Sequence, residues 1–495
     1  MPDGLLEFNN LIFFNASTDG FGQEVWKSDG TNSNTVLVDD INSGNENGAT
    51  YPLNLSSAVL NNELYFIATD GSSSGEIWKT DGINSEASQI TKFLNGKVTK
   101  LTTVGNFIFF LLSIDNTLQV WKTDGTTEGT VLVKDGLSIW NTPTFQGKCN
   151  DNFIFTFQAY GSNKSKVWSS DGTSIGTFPI TDEIDGNGSG PGGTSALSQY
   201  IEFNNKLYFV SRNYLYETDG TSENTKIVTS LWNAQNNLVA YSDVIEANNK
   251  LYFQFFSVDN YQLSIWESDG TSANTNEIYT KNSSQYFFPS NLSEADNLLI
   301  FCSSNDTGGT VLCSLNLDDN VTRNLIELSN NALEPFMFIN DFYACKIHKI
   351  VGDEFFISAF QDNSFARKGW ISNVSKNTTD HVSALDNIAI AISYNQILYY
   401  LKDYQLWKYT NSLNTESVEV KSSLSIYPNP SSDFIKFKTS HRIENISIFD
   451  LSGRMIINTA QYQNNQVDIS QLSLGTYLIK FQLNGGSITK KIIKK

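Results

Sequence analysis

One unit recurs along most of the chain, and this repeat constrains the fold more than any other feature. Each unit has an Asn-Asn or Gly-Asn turn, an apolar strand, a polar turn and a second strand with an aromatic slot that ends in Asp-Gly-Thr. Nine slots follow one another at intervals of 37 to 58 residues. They are Trp26, Trp78, Trp121, Trp168, Tyr216, Trp266, Leu312, Trp370 and Trp407. The last three units keep the strand pair and lose Asp-Gly-Thr.

A period of about 40–50 residues with short strands and turns is typical of β-propeller blades with four strands each. We therefore predict an all-β chain with one propeller over residues 1–420, built from nine repeat units. Nine exceeds the usual range of about four to eight blades. An eight-bladed ring is the alternative. In that case one degenerate repeat would lie outside the ring, or the two ends of the propeller would share a blade.

The repetition of the aromatic slot favours a structural role for its residues. A tryptophan on a middle strand can fill the wedge between two blades, where its indole N–H finds a carbonyl. A ring of ligand-stacking tryptophans is the functional alternative. The repeated Asp has a similar pair of interpretations, since its side chain can close its own turn or bind calcium. Calcium needs about 6–8 oxygens, so one Asp per turn supports it only weakly, and no cofactor is predicted.

Charge divides the chain into two parts. The whole chain has 33 Lys and Arg against 52 Asp and Glu, a net charge of −19. From Ser422 to Lys495, nine basic and four acidic residues give +5, which leaves −24 for the rest. A nucleic-acid partner would need a basic footprint and is therefore excluded.

The chain also has no apolar run long enough for a transmembrane segment. Residues 1–3 do not resemble a signal peptide, so we expect a removed signal or an internal start.

Cysteine and histidine offer few candidates for chemistry. Cys302 and Cys313 lie at equal distances in sequence from the centre of a polar turn. In a symmetric hairpin they would face each other, which predicts a cross-strand disulfide; two buried free thiols are the alternative. Cys149 and Cys345 are unassigned. The three histidines are scattered, which argues against a His-based metal or catalytic cluster. They are His348, His381 and His441.

The repeats resemble a known family. The segment Glu76–Gly82 looks like the Glu-Leu-Trp-x-x-Asp-Gly-Thr repeat of bacterial exported proteins, and Thr130–Asp135 matches the continuation of that repeat. The resemblance is good in the first six units and poor in the last three. It implies a secreted β-propeller and says little about activity.

The tail, residues 421–495, reads as a separate small antiparallel sandwich of the immunoglobulin-like kind. Its motifs resemble the type A C-terminal sorting domain of the type IX secretion system in Bacteroidota. The residues of these motifs are Tyr427, Pro428, Asn429, Pro430, Gly453, Gly475, Tyr477, Lys494 and Lys495. The resemblance implies the type IX machinery as a partner, passage across the outer membrane, and a secreted or cell-surface location.

We interpret the propeller as a binding or adhesion module with a glycan or a surface protein as its ligand. Trp140 and Trp232 lie outside the repeat slots, in long loops, and each is followed by Asn, so each could stack on a sugar. Plugging of a blade junction is the alternative role for both. No catalytic motif is present, so we do not expect an enzyme. A secreted hydrolase or lyase of polysaccharide and a passive part of a larger surface protein are the alternatives.

Overall fold

The fold was taken from a computed structural model of the full chain. It describes residues 3–495 except 85, 94, 140–144, 163, 185–199, 212–213, 232–237, 240–243, 258–260, 284–290, 296, 308, 330–344, 361–365, 389, 403–404, 410–414, 419–424, 439–442, 450–454, 460–464 and 484–485. The predicted domain boundary between residues 420 and 421 falls outside the described residues.

The described residues form nine consecutive antiparallel sheets of four main strands, followed by one sheet of three strands and one of four. We call the nine sheets blades 1 to 9 and name the strands of each blade a to d in chain order. Blade 1 contains Asp3–Phe8, Leu11–Thr18, Gly22–Ser28 and Val36–Leu37. Blade 2 contains Ser57–Leu60, Glu63–Ala68, Glu76–Thr80 and Ser88–Gln89. Blade 3 contains Thr102–Val104, Phe107–Ile114, Thr117–Thr123 and Val131–Ser138, with the short strand Lys97–Val98 beside strand b.

The middle blades follow the same plan. Blade 4 contains Phe145–Cys149, Asn152–Gln158, Ser165–Ser170 and Thr177–Pro179. Blade 5 contains Ile201–Phe203, Lys206–Ser211, Tyr214–Thr218 and Lys226–Ser230. Blade 6 contains Val244–Ala247, Lys250–Ser257, Gln262–Ser268 and Asn276–Asn282, with Leu238–Val239 as an additional strand.

The last three blades keep four strands although their sequences have lost Asp-Gly-Thr. Blade 7 contains Ser293–Ala295, Leu298–Ser304, Thr310–Asn316 and Thr322–Glu327. Blade 8 contains Cys345–Val351, Glu354–Phe360, Arg367–Asn373 and Thr378–His381. Blade 9 contains Ala391–Tyr394, Ile397–Lys402, Gln405–Tyr409 and Thr415–Val418. The described helices are short: an α-helix at Leu53–Ser56 and 3-10 turns at Asn32–Asn34, Ser272–Asn274 and Ser383–Leu385.

Turn chemistry explains why each repeat folds back on itself. Asn9 and Asn10, between strands a and b of blade 1, both have positive φ, at 49° and 55°. Asn61 and Asn62 do the same in blade 2, at 50° and 61°. Two consecutive positive φ angles fit the tight hairpin turn that matches the twist of the flanking strands, and Asn tolerates them well.

Blade 9 closes the ring on blade 1. Leu5, Ile12 and Phe14 of blade 1 share one buried cluster with Tyr399 and Leu406 of blade 9. The hydroxyl of Tyr394 also donates a hydrogen bond to the backbone carbonyl of Asn10. Of the two predicted ring sizes, the described residues support nine blades, and the prediction of a propeller is confirmed.

The tail forms the predicted sandwich. One sheet has three strands, Ser425–Tyr427, Phe434–Lys438 and Gln466–Asp468, and the other has four, Met455–Thr459, Ile443–Phe449, Gly475–Leu483 and Gly486–Lys494. Both sheets contribute to one apolar core, in which Ile435 and Phe437 meet Ile448, Ile479 and Phe481. Side chains alternate between the two faces along each strand, so one face of each sheet lies inside the sandwich.

The predicted disulfide between Cys302 and Cys313 is wrong, because the hairpin has a different register. The strands pair Phe301 with Cys313 and Cys302 with Leu312. A shift of one residue turns a side chain to the opposite face of a strand, so the two cysteines point to different blade junctions. The structure instead joins Cys302 to Cys345 on strand a of blade 8, with Cα atoms 6.7 Å apart. Cys313 is a buried free thiol. The alternative of two buried free thiols is therefore correct for Cys313 and wrong for Cys302.

The same register moves the aromatic slot of blade 7. The slot residues of the other blades pair with the fourth residue of strand b, as Trp26 does with Phe14 and Trp121 with Phe110. In blade 7 the corresponding pair is Phe301 with Cys313. Cys313, and not Leu312, therefore stands in the slot of the seventh repeat.

Candidate functional site

The Tyr427–Pro430 motif contacts the end of the chain. The Asn429 side chain accepts a hydrogen bond from the Ile493 amide (2.8 Å) and donates one to the Lys491 carbonyl (2.8 Å). One side chain thereby takes the place of a neighbouring strand for two residues of the last strand, Gly486–Lys494. Two motifs that lie more than sixty residues apart in the sequence meet here, and we call this region the terminal edge (residues 429–432 and 491–495).

The backbone continues the pairing beyond Asn429. The Ser431 amide donates to the Ile493 carbonyl (2.9 Å), and the Lys495 amide donates to the Ser431 carbonyl (3.0 Å). Ser431 and Lys494 form a parallel bridge, and the Lys494 ammonium group donates to the Ser432 carbonyl. Lys494 is consequently buried, at 8% exposure, so the first of the two terminal lysines is structural in this arrangement. Lys495, by contrast, is exposed.

Apolar side chains surround the terminal edge at the surface. Tyr427 is 50% exposed and Ile493 is 37% exposed. Phe434, Met455 and Leu474 are further exposed apolar residues of the sandwich.

The other predicted motif residues support the sheet beside the terminal edge. Gly475 begins the strand Gly475–Leu483 and pairs with Lys494. Tyr477 packs its ring against the core of the sandwich, and its hydroxyl donates to the Ser473 carbonyl (3.0 Å). Gly453 lies outside the described residues.

In the propeller, the aromatic slots lie between blades. Trp26 is 1% exposed and belongs to the buried cluster that joins blade 1 to blade 9, where its indole N–H donates to the Ala16 carbonyl (3.2 Å). The other slot residues pack in the cluster that their blade shares with the preceding one. They are Trp78, Trp121, Trp168, Tyr216, Trp266, Trp370 and Trp407.

The repeated Asp closes its own turn. Oδ1 of Asp124 accepts hydrogen bonds from the amide (2.9 Å) and the hydroxyl (2.7 Å) of Thr126. The Thr126 side chain, followed by its amide, lowers the pKa of Asp124 below its usual range. Asp29, Asp171, Asp219 and Asp269 make the same pair of bonds to the Thr two residues on.

The repeated Gly fits against the preceding blade. Gly125 has φ +95°, and a Cβ atom there would overlap the hydroxyl of Tyr65 on strand b of blade 2. Gly270 meets Tyr208 in the same way, and Gly30 meets Tyr399 across the closure of the ring. Asp-Gly-Thr is therefore an inter-blade contact as well as a turn. In the sequence, Tyr65 and Tyr208 precede the Asp-Gly-Thr of the following blade by 59 and 61 residues.

The Glu of the repeat anchors the loop that follows strand d. Glu24 is fully buried, and its Oε1 accepts a hydrogen bond from the Asn42 amide (3.2 Å). Burial raises the pKa of Glu24 to about 8, and the nearby Asp40 adds to the rise against the opposing hydrogen bonds of Asn42 and Gly48. Glu76 holds its own loop through the Phe93 amide (2.6 Å). Sequence analysis missed these two residues as buried groups, because a single Glu on a strand looks solvated.

Trp140 and Trp232, predicted as a ligand surface, lie outside the described residues. Across the described ranges, no three His, Cys, Asp or Glu side chains come together as a metal would require. In those same ranges, no helix is both long and apolar enough to cross a bilayer.

The chain was compared with known proteins. Residues 425–495 match the family model of the secretion system C-terminal sorting domain. No curated protein matches the chain. Solved structures to which the chain has a distant similarity include apo AztD from Citrobacter koseri (TM-score 0.39, 9% identity, 75% of this chain and 93% of that chain) and oligogalacturonate lyase from Vibrio parahaemolyticus (0.36, 11%, 72% and 94%). A chain of the nidogen/laminin complex is a third (0.29, 14%, 55% and 92%).

The likenesses to solved structures are too distant to bear on activity. The family match is of a different kind, because it covers the whole of the tail sandwich and the terminal edge. Residues 425–495 are therefore a secretion system C-terminal sorting domain, and the protein is secreted or displayed at the cell surface.

Proposed function

We propose that this protein is a surface binding or adhesion protein whose propeller carries the ligand site and whose sandwich delivers it through the type IX machinery. The assignment of the repeats to the Glu-Leu-Trp-x-x-Asp-Gly-Thr type and of the source to Bacteroidota is part of this proposal. The observation that carries it is a polar cleft between blades 6 and 7, in a protein that has a C-terminal sorting domain for export.

The cleft has a volume of about 690 Å³ and lies beside the turn Asn305–Gly309. Its lining combines hydroxyl and amide side chains with the charged groups of Lys281, Asp306 and Glu327. The hydroxyl and amide residues are Tyr279, Ser303, Ser304, Asn305, Thr307, Thr322 and Asn324. The volume is in the range of small-molecule sites, about 300–1,000 Å³, but the lining is more polar than is usual for such sites. Groups of this kind suit a hydroxylated ligand, such as a stretch of glycan.

Local contacts hold the cleft in shape. The Tyr279 hydroxyl lies 2.7 Å from the Ser303 hydroxyl, and the Tyr279 ring packs edge-on against Phe301. Lys281 pairs with Asp306 at 2.8 Å, and the Asp306 side chain is 94% exposed. A ligand would thus meet a positioned aromatic residue and a charged rim. Rim charges affect association rates more than affinity.

The test uses the purified full chain on arrays of bacterial, plant and host-cell glycans. We expect binding to a restricted set of glycans, and a loss of at least tenfold in affinity for the double variant N305A/N324A. The control is N316A/N320A, which alters two Asn of another turn of the same blade. Binding that both double variants retain would contradict the cleft. Cleavage of any bound polysaccharide, followed as new reducing ends, would favour the hydrolase or lyase alternative.

A further inference from the structure

Blades 7 and 8 lack the contact that joins most other blades. At five junctions the third residue of strand b is a large aromatic that meets the Gly of the Asp-Gly turn in the following blade. The pairs are Phe13–Gly82, Tyr65–Gly125, Phe109–Gly172, Tyr208–Gly270 and Tyr399–Gly30. Between blades 4 and 5 the third residue is Ile154, and Gly220 meets Asn152 instead. In blade 7 that residue is Ile300. The facing turn of blade 8 carries Val374 and Ser375 in place of Asp-Gly-Thr.

A covalent bond lies at this same junction. Cys302 follows Ile300 on strand b of blade 7 and is fully buried, and Cys345 begins strand a of blade 8 and is also fully buried. The structure joins their sulfur atoms over 43 residues of chain. Side chains alternate along a strand, so Phe301 turns towards Tyr279 of blade 6 while Cys302 turns towards blade 8.

We propose that the Cys302–Cys345 disulfide is a staple that takes over the role of the missing turn contact, and that it is made during export, before the propeller reaches the cell surface. This proposal rests on the export of the protein and is independent of the ligand proposed above.

The redox step is an ordinary thiol–disulfide exchange. The two thiols lose two protons and two electrons as the S–S bond forms. The disulfide of an exported thiol oxidoreductase takes up these two protons and two electrons and becomes a dithiol. Oxidants of this class act in the bacterial periplasm, whereas thiols stay reduced in the cytosol. The staple therefore forms only after the chain has left the cytosol.

The two remaining cysteines are unreactive once the propeller has folded. Cys313 and Cys149 are both buried free thiols. Burial raises the pKa of Cys313 to about 12 and that of Cys149 to about 11. Since the thiolate is the reacting species, neither exchanges readily in the folded protein.

The experiment compares the full chain with C302S, C345S and C313S, each purified from an oxidising compartment and melted with and without a phosphine reductant. We expect reduction to lower the melting temperature of the wild type and of the control C313S by roughly 3–8 °C. C302S and C345S should melt at the lower temperature under both conditions. Peptide mapping without reductant should recover the Cys302–Cys345 cross-link.

A second measurement applies if C302S and C345S do not fold. The wild type is reduced at low temperature until mass spectrometry shows Cys302 and Cys345 as free thiols, because both are fully buried. Amide hydrogen exchange is then followed in strand Cys345–Val351 and, as a control, in strand Thr117–Thr123 of blade 3. Faster exchange confined to the first strand supports the staple. An unchanged melting temperature and unchanged exchange on reduction, or free Cys302 in the unreduced protein, would overturn it.

Discussion

The propeller and the sandwich use their conspicuous residues in opposite ways. In the propeller, the residues that stand out in the sequence are repeated, and they contact other parts of the same molecule: Trp26 fills a junction and Gly125 fits beneath Tyr65. In the sandwich, the conspicuous motif occurs once, and it holds the chain terminus at an exposed edge. A motif repeated around a ring is needed for packing at every junction, whereas a single exposed motif is available to a partner.

This difference also explains why the repeats say little about the ligand. The repeated Asp, Gly and Thr and the aromatic slot residues make their contacts within turns and blade junctions. Few of their polar or apolar groups are therefore available to bind a ligand. Specific recognition must come from residues that differ between blades. The polar cleft of blades 6 and 7 meets this condition, because blade 7 has lost the repeat.

The largest stability effect is expected from Trp121→Ala. Trp121 packs edge-on against Phe93 and stacks with Phe110, with ring centroids 5.1 and 6.3 Å apart. Truncation of a buried Trp costs about 3–5 kcal/mol, and Trp121 is half-buried, so we expect the lower part of that range. Chemical denaturation measures the loss, and Trp121→Phe is the control, with a smaller loss. An unchanged free energy of unfolding would mean that the slot is not a packing position.

Gly125→Ala tests whether the repeated turn contacts the preceding blade. We expect a loss of about 2–3 kcal/mol, since the new methyl group adds displacement of Tyr65 to the strain of a positive φ. The matched control is Gly105→Ala, which has φ +57° and open space around it. The control should lose only about 1 kcal/mol of backbone strain. Equal losses at both sites would remove the inter-blade contact from the explanation.

Glu24 predicts a pH dependence of the propeller. Because the folded state raises the pKa of Glu24 from 4.5 to about 8, it holds a proton that the unfolded chain has already released between these values. The contribution of Glu24 to stability is therefore greatest below pH 4.5 and falls as the pH rises towards 8. Glu24→Gln should flatten this part of the curve and raise the melting temperature at pH 8 above that of the wild type.

Gln119 stands at the equivalent position of blade 3, which indicates that the repeat tolerates a neutral amide there. The control is Glu46→Gln, since Glu46 is exposed on the loop that Glu24 anchors. It should leave the pH profile unchanged. A profile for Glu24→Gln identical to that of the wild type would show that Glu24 is ionised in the folded protein.

Much of the fold could be predicted from the sequence because the determining contacts are local. In the third repeat the pattern of apolar residues and turns predicts strands at Phe107–Ser113 and Leu118–Thr123, and the structure has strands at Phe107–Ile114 and Thr117–Thr123. Asn pairs and Asp-Gly steps signal turns whose geometry depends on a few neighbouring residues.

The parts that sequence reasoning missed depend on register or on distant contacts. The cysteine pairing was wrong because the five-residue turn Asn305–Gly309 sets a register one residue away from symmetry. The contact of Asn429 with Ile493 joins two segments of a sheet edge, and no local pattern reports it. The burial of Glu24 likewise depends on the loop that folds over it.

The propeller motifs maintain the fold, and the tail directs the protein to the secretion system. The measurement that tests this division of roles most directly is the location of the chain without residues 424–495 in a host with a type IX system, compared with the full chain. We predict that the truncated propeller folds, with the near-ultraviolet circular dichroism of its aromatic residues retained, and that it stays in the periplasm. Delivery of the truncated chain to the surface or medium would contradict the assigned role of the tail, and aggregation of the purified propeller would contradict its independence.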